Sequence, residues 1–303
     1  MKLTTSAEVA HALATKGPIV ALESTLLAHG LPAPRRALAA ATIESAVRRA
    51  GATPATIAII GGSVHVGLEP EALEIVISGR AKKAALRDLA VALAGAGDWA
   101  TTVSTTMALA SRAGISVFAT GGIGGVHRAV FDTFAESSDL TALARFPVTV
   151  VCAGAKSVLD LPRTLERLET LGVPVLGYRT DELPAFYHAH SGLKLAHRVE
   201  SPEVIAAIME QRYTVLGEGG ILVAQPPPAS LAQDPAVADA LIERALAEAK
   251  AEGVRGPAIT PFLLAWLDRN SGGSVVDTNL ALVIENARLA AEIAVAASAR
   301  AAR

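Results

Sequence analysis

Lys156 is the residue of this chain best placed to do covalent chemistry. It lies near the end of Phe146-Pro147-Val148-Thr149-Val150-Val151-Cys152-Ala153-Gly154-Ala155-Lys156-Ser157. Val148 to Ala153 is uncharged and largely β-branched, the pattern of a strand buried on both faces. Gly154 ends the run and a helical pattern starts near Ser157. Lys156 therefore falls in a turn at the carboxyl end of a central strand, where open α/β sheets bind their ligands. An uncharged amine there attacks a carbonyl carbon, whereas an ammonium holds a phosphate or reaches out to solvent. Glu23 closes a second apolar run, Pro18-Ile19-Val20-Ala21-Leu22. A partly desolvated carboxyl at a strand end has a raised pKa and suits a general acid near neutrality. A surface acid or a helix-capping partner is the competing reading.

A glycine-rich loop, Thr120-Gly121-Gly122-Ile123-Gly124-Gly125-Val126-His127-Arg128, follows a third apolar run. Its backbone N–H groups, with His127 and Arg128, have the makings of an anion site. The spacing matches neither the dinucleotide fingerprint nor the P-loop, so no nucleotide cofactor is indicated. A tight turn with positive φ is the alternative. Asp132, Glu136 and Asp139 cluster beside Ser137 and Ser138. Such hard oxygen donors suit Mg²⁺ or Mn²⁺, and Ser137-Ser138-Asp139 equally suits a helix N-terminus. His188-Ala189-His190 puts two imidazoles on one face if extended, but without a third ligand at metal spacing it reads as a surface loop. Cys152, the single cysteine, has aliphatic neighbours and reads as core.

The elements that must position these groups alternate. Strands are expected at 18–22, 55–60, 101–103, 115–119, 148–153, 174–178 and 220–224, with 61–67 as a glycine loop. Helices are expected at 35–50, 70–77, 84–96, 105–113, 158–171, 202–212, 236–251, 260–267 and 279–302. Alternation of this kind predicts an α/β fold: a mainly parallel sheet flanked by helices as an α/β/α sandwich, with residues 1–303 forming a single domain. The chain of 303 residues is 51% hydrophobic, enough for a large core. Its formal net charge of −2 and the lack of a basic stripe interleaved with aromatics argue against nucleic-acid binding. A lone cysteine, no uncharged run long enough to span a bilayer and no signal-like start predict a cytoplasmic protein free of the membrane.

Four stretches taken together closely resemble the pseudouridine-5′-phosphate glycosidase family. They are Ala21-Leu22-Glu23-Ser24-Thr25, Pro54 to Gly62, Phe118 to Arg128, and Val150 to Ser157. Thr260-Pro261-Phe262-Leu263-Leu264 and Asn279 also fit, so the resemblance covers nearly the whole chain. It implies a homotrimer, a divalent metal (Mn²⁺, or Mg²⁺), and reversible cleavage of pseudouridine 5′-phosphate to uracil and ribose 5-phosphate. A separate pseudouridine kinase would supply the phosphorylated substrate. Residue by residue, the resemblance implies Lys156 as the nucleophile that forms a Schiff base with the ring-opened ribose, and Glu23 as the proton donor. It implies substrate contacts from Lys83, Val103, Thr120, His127, Ser137, Ser138, Asp139 and Asn279. One position departs from the family pattern. Thr133-Phe134-Ala135-Glu136-Ser137-Ser138-Asp139-Leu140 carries Ala135 where the family has its metal-binding aspartate. A methyl group coordinates nothing, which leaves Glu136, Asp132 or Asp139 as a replacement ligand, or a metal held weakly or absent. The alternative is a non-catalytic or altered-specificity sugar-phosphate-binding relative that lost the metal.

Overall fold

The computed structural model describes residues 3–128, 134–254, 259–271 and 274–302. Its strands are β1 (Leu3–Thr5), β2 (Ile19–Glu23), β3 (Thr53–Ile60), β4 (Ser63–Val66), β5 (Lys82–Ala84), β6 (Trp99–Thr101), β7 (Val117–Ala119), β8 (Thr149–Cys152), β9 (Val175–Tyr178), β10 (His197–Val199) and β11 (Ile221–Ala224). They form one sheet in the order β1-β4-β3-β2-β7-β8-β11-β9-β10, with β6 joined to β3 and β5 to β6. Every pairing is parallel except β3 with β4 and β3 with β6.

Burial follows from the strand sequences. On β2, β8 and β11, Ala21, Val150, Cys152, Leu222 and Ala224 enter one hydrophobic core, while Val20, Leu22, Val151, Ile221 and Val223 enter another. With apolar side chains pointing both ways, such strands are stable only between two helical layers. The first core is covered by helices that include Val103–Arg112, Ser138–Arg145 and Pro235–Ala251; the second by Arg36–Arg49, Pro202–Leu216 and Ser274–Ala301. The α/β/α sandwich expected from the sequence is what forms.

Three local expectations are corrected. Gly61 and Gly62, at φ +55° and +75°, do not open a long loop; they make a two-residue turn from β3 into antiparallel β4. Positive φ at both central residues gives the turn a twist that matches its strands. Lys82 and Lys83 do not lead a helix over 84–96. They belong to β5, and the helix itself is Leu89–Ala94. Pairing with β6 supplies ladder bonds that local helix propensity does not. The surface-loop reading of His188-Ala189-His190 is corrected in one respect: the segment between β9 and β10 is irregular as expected, but His188 is buried and His190 alone of the two is exposed.

Candidate active site

Adjacent parallel strands β2, β7 and β8 deliver three side chains to the same edge of the sheet. Glu23 is the last residue of β2, Thr120 directly follows β7, and Lys156 lies four residues beyond β8. Backbone bonds carry the β7–β8 pairing past the strand ends. Thr120 N donates to Val151 O at 3.0 Å, Ala153 N to Gly121 O at 2.9 Å, and Lys156 N to Ile123 O at 3.0 Å. Gly154, at φ +84°, makes the bend between them, and a Cβ there would fall 2.7 Å from the Pro184 carbonyl oxygen. The lysine is thus pinned by its own backbone rather than hung on a free loop.

Glu23, Thr120, Lys156, Lys83 and Asn279 all line one cavity of 560 Å³. Thr120 Oγ1 donates to Glu23 Oε1 at 2.5 Å. Burial pushes the Glu23 carboxyl up, and the opposing pull of Lys156 and of the Thr120 hydroxyl does not cancel it. Glu23 therefore holds its proton to higher pH than an exposed glutamate, as the sequence led one to expect. Burial, then the charge of Lys156, push the Lys83 ammonium down, against Glu23 and Asp139. With Arg36, Lys83 and Lys156 in the lining against the carboxyl of Glu23, basic side chains outnumber acidic ones in the cavity, which suits an anion.

The other expected residues Val103, Ser137, Ser138 and Asp139 lie outside the cavity lining, at the N-termini of two helices. Val103 is the first residue of the helix Val103–Arg112, and Ser137 caps the helix Ser138–Arg145, its Oγ accepting from Asp139 N at 3.2 Å. Ser138 Oγ lies 3.0 Å from Ser104 Oγ. Asp139 is buried, and its carboxylate accepts from Ser104 N at 3.0 Å and from Gly124 N at 2.8 Å. Two helix N-termini and the glycine loop are tied together by this one side chain.

The glycine loop works by close approach. None of Gly121, Gly122, Gly124 and Gly125 has positive φ. A Cβ on Gly124 would meet Ser137 Oγ at 2.2 Å, and one on Gly125 would meet Thr164 Oγ1 at 2.4 Å. His127 is half-buried, which pushes its imidazole down, and it lies outside the cavity lining. Arg128 donates to Ser157 O at 2.9 Å and pairs with Glu243.

The metal expectation finds no ligand set. Among the described residues no three His, Cys, Asp or Glu side chains stand close enough to hold an ion. The Glu136 carboxylate pairs with Arg167 at 3.0 Å, and Asp132 lies outside the described residues. Burial pushes the Cys152 thiol up to about 12, as befits a core residue.

Sequence reasoning passed over three groups in the cavity lining, His29, Phe186 and Tyr187, and one behind it, Asn286. His29 Nε2 lies 2.9 Å from the Ala81 carbonyl oxygen. A carbonyl only accepts, so Nε2 carries the proton and Nδ1 is left as the acceptor of a ring that lines the cavity. Burial pushes this imidazole down and Arg36 adds to the effect. Phe186 and Tyr187 supply an aromatic wall with ring centroids 4.8 Å apart. Asn286, buried in the helix Ser274–Ala301, donates from Nδ2 to the Thr120 carbonyl at 2.8 Å. A buried amide within an apolar helical stripe was the available signal for Asn286; nothing local marked Phe186.

Comparison with known proteins decides the family. Residues 8–296 match the model for indigoidine synthase A like protein. The chain is 52% identical to the pseudouridine-5′-phosphate glycosidase of Herpetosiphon aurantiacus, over 97% of this chain and 98% of that one. It is 49% identical to the same enzyme of Myxococcus xanthus over 98% of each. The chain belongs to this enzyme family. Among solved structures it is similar to the prealnumycin C-glycosynthase AlnA in complex with ribulose 5-phosphate, with a TM-score of 0.91, 43% identity, and 100% of this chain and 99% of that chain covered. An indigoidine synthase A-like protein of Thermotoga maritima superposes with a TM-score of 0.88 at 34% identity, covering 97% of this chain and 96% of that one. No described helix is long and apolar enough to cross a membrane.

Proposed function

We propose that this chain cleaves, and in reverse forms, the carbon–carbon glycosidic bond of pseudouridine 5′-phosphate, yielding uracil and ribose 5-phosphate. The observation that carries the reading is the convergence of Lys156, hydroxyl-bonded Glu23 and Lys83 on one cavity in which basic side chains outnumber acidic ones. Relatives about half identical over nearly their full length carry that activity in their names, and a structural neighbour holds a five-carbon sugar phosphate.

The bond to be broken explains why a lysine is needed. Uracil joined through carbon has no heteroatom in the bond to be broken, so the two-carboxylate route to ordinary glycosides, which protonates the glycosidic oxygen, gives no comparable help. In the proposed sequence, the C1′–O4′ bond breaks and the ring oxygen leaves with the proton that Glu23 holds, while Lys156 Nζ bonds to C1′. Glu23, now a carboxylate, takes a proton from the secondary ammonium; the freed nitrogen lone pair forms the imine as the C1′–C5 bond breaks, its electron pair going to uracil, and Glu23 delivers that proton to C5. Water adds to the imine, the C–N bond breaks, and ribose 5-phosphate leaves with the amine restored. Lys83, beside the N-termini of Val103–Arg112 and Ser138–Arg145, is the proposed phosphate end, since helix N-termini and an ammonium both favour an anion. Asn279 is the proposed partner of the uracil edge. A homotrimer and a separate kinase that makes the substrate belong to the same proposal.

The test is borohydride trapping with ribose 5-phosphate followed by peptide mass mapping. A reduced adduct on Lys156, absent from Lys156→Ala, is expected; so is formation of pseudouridine 5′-phosphate when uracil is added. Turnover that survives Lys156→Ala removes the lysine from the mechanism. Trapping without any reaction of uracil favours the second reading, a C-glycosynthase-like enzyme that joins the sugar phosphate to another ring, for which the likeness to AlnA speaks.

A further inference from the structure

Phe186 holds a backbone conformation that an aromatic residue rarely adopts. Its φ is +68°, and Tyr187 N donates across it to Ala185 O at 2.8 Å. That is a three-residue turn with a positive-φ centre, the strained form of the γ-turn. Strain of this kind persists only where the surroundings over-determine it, and it gathers at ligand sites. The surroundings here are well defined. Ala185 N donates to His188 O at 3.0 Å, Gln233 N donates to Tyr187 O at 2.8 Å, and the Tyr187 ring meets Phe186 edge to face at an interplanar angle of 85°.

What the strain achieves is a placement. The Phe186 ring is buried, lines the cavity, and lies against the backbone of the glycine loop. A Cβ on Gly122 would come within 2.6 Å of its Cε2, so only glycine permits this approach. A Cβ on neighbouring Gly121 would sit 3.1 Å from Asn279 Oδ1 and 3.8 Å from Phe186 Cζ. An aromatic ring, a primary amide and two bare glycine backbones thus meet in one corner of the cavity. A planar heterocycle with an apolar face and a lactam edge needs those partners: the ring takes the face, and the amide, both donor and acceptor, reads the edge.

We propose that Phe186 is a specificity-determining residue for the aglycone, its ring being the wall on which the planar base rests while Asn279 reads the base edge. This rests on the function proposed above. The experiment measures uracil binding and turnover in wild type, Phe186→Leu and Gly122→Ala, with ribose 5-phosphate present and trapping on Lys156 followed in parallel. In Phe186→Leu the Kd and KM for uracil rise about tenfold, while the KM for ribose 5-phosphate and the yield of the Lys156 adduct stay within twofold. Gly122→Ala, which must displace the ring without removing it, gives the same selective loss. Unchanged uracil affinity in both variants, with the adduct intact, overturns the wall; so does an equal loss toward uracil and ribose 5-phosphate. Wild-type protein that traps ribose 5-phosphate but neither binds nor turns over uracil overturns the proposed substrate instead. In that case Phe186→Leu must weaken the planar acceptor the wild type does use, or the wall fails as well.

Discussion

Asp139 allows a sharp test of whether the fold around the cavity is held together as described. Its buried carboxylate accepts two backbone N–H groups, from Ser104 at the start of one helix and from Gly124 in the glycine loop. In Asp139→Ala both donors lose their partner inside the protein. Each orphaned buried donor costs about 1–3 kcal/mol, so the pair costs about 2–6 kcal/mol. Unfolding entropy near the midpoint is about 2.1 cal/mol/K per residue, or about 0.6 kcal/mol/K for a chain of this length, which converts the loss into a Tm drop of about 3–10 °C. Asp139→Asn keeps one acceptor oxygen but turns an NH₂ group toward the other donor, so its Tm falls between those of the alanine variant and the wild type. Differential scanning calorimetry on the ligand-free proteins reads this directly. A carboxylate kept only to contact ligand behaves the other way, because removing it relieves an unpaired buried charge and raises stability. An apo Tm for Asp139→Ala equal to or above that of wild type therefore refutes the tie between the helix and the loop.

Two further outcomes follow from the hydrogen bonds around Glu23. Burial holds the folded-state pKa of Glu23 above its unfolded value. Its protonation therefore contributes stability that is fully present below the unfolded pKa and is lost as pH rises through the folded one. Glu23→Gln keeps an acceptor for Thr120 and cannot ionise, so its Tm relative to wild type increases from about pH 5 to about pH 8, while turnover is lost. A Tm difference that shrinks over that range contradicts the raised pKa. Asn286→Leu leaves the buried Thr120 carbonyl without its 2.8 Å donor, costs about 1–3 kcal/mol, and lowers kcat by loosening the hydroxyl bonded to Glu23. A normal kcat with a lowered Tm would confine Asn286 to the fold.

The sequence by itself determined the layer architecture. A strand buried on both faces has to be an uncharged, β-branched run, and each such run here stops at a glycine, a proline or a polar residue. For that reason Glu23, Thr120 and Lys156 could be assigned to strand ends from local pattern alone, and Ser137 to a helix cap. Local pattern carries no information about which strands are neighbours. The order β3-β2-β7-β8-β11, which puts Glu23 beside Thr120 and Thr120 beside the Lys156 segment, comes from burying two apolar faces at once, a long-range property. The same holds for the short strand at Lys82–Ala84, stabilised by a partner some seventeen residues away rather than by its own propensity. The tertiary structure also replaced the tight-turn alternative for the glycines of the loop with close packing, because what they must avoid are the side chains of Ser137, Thr164 and Phe186, brought there by the fold. Phe186, Asn279 and His29 join Lys156 in one cavity only when the chain has folded, since none of them bears a local signal that points at the others.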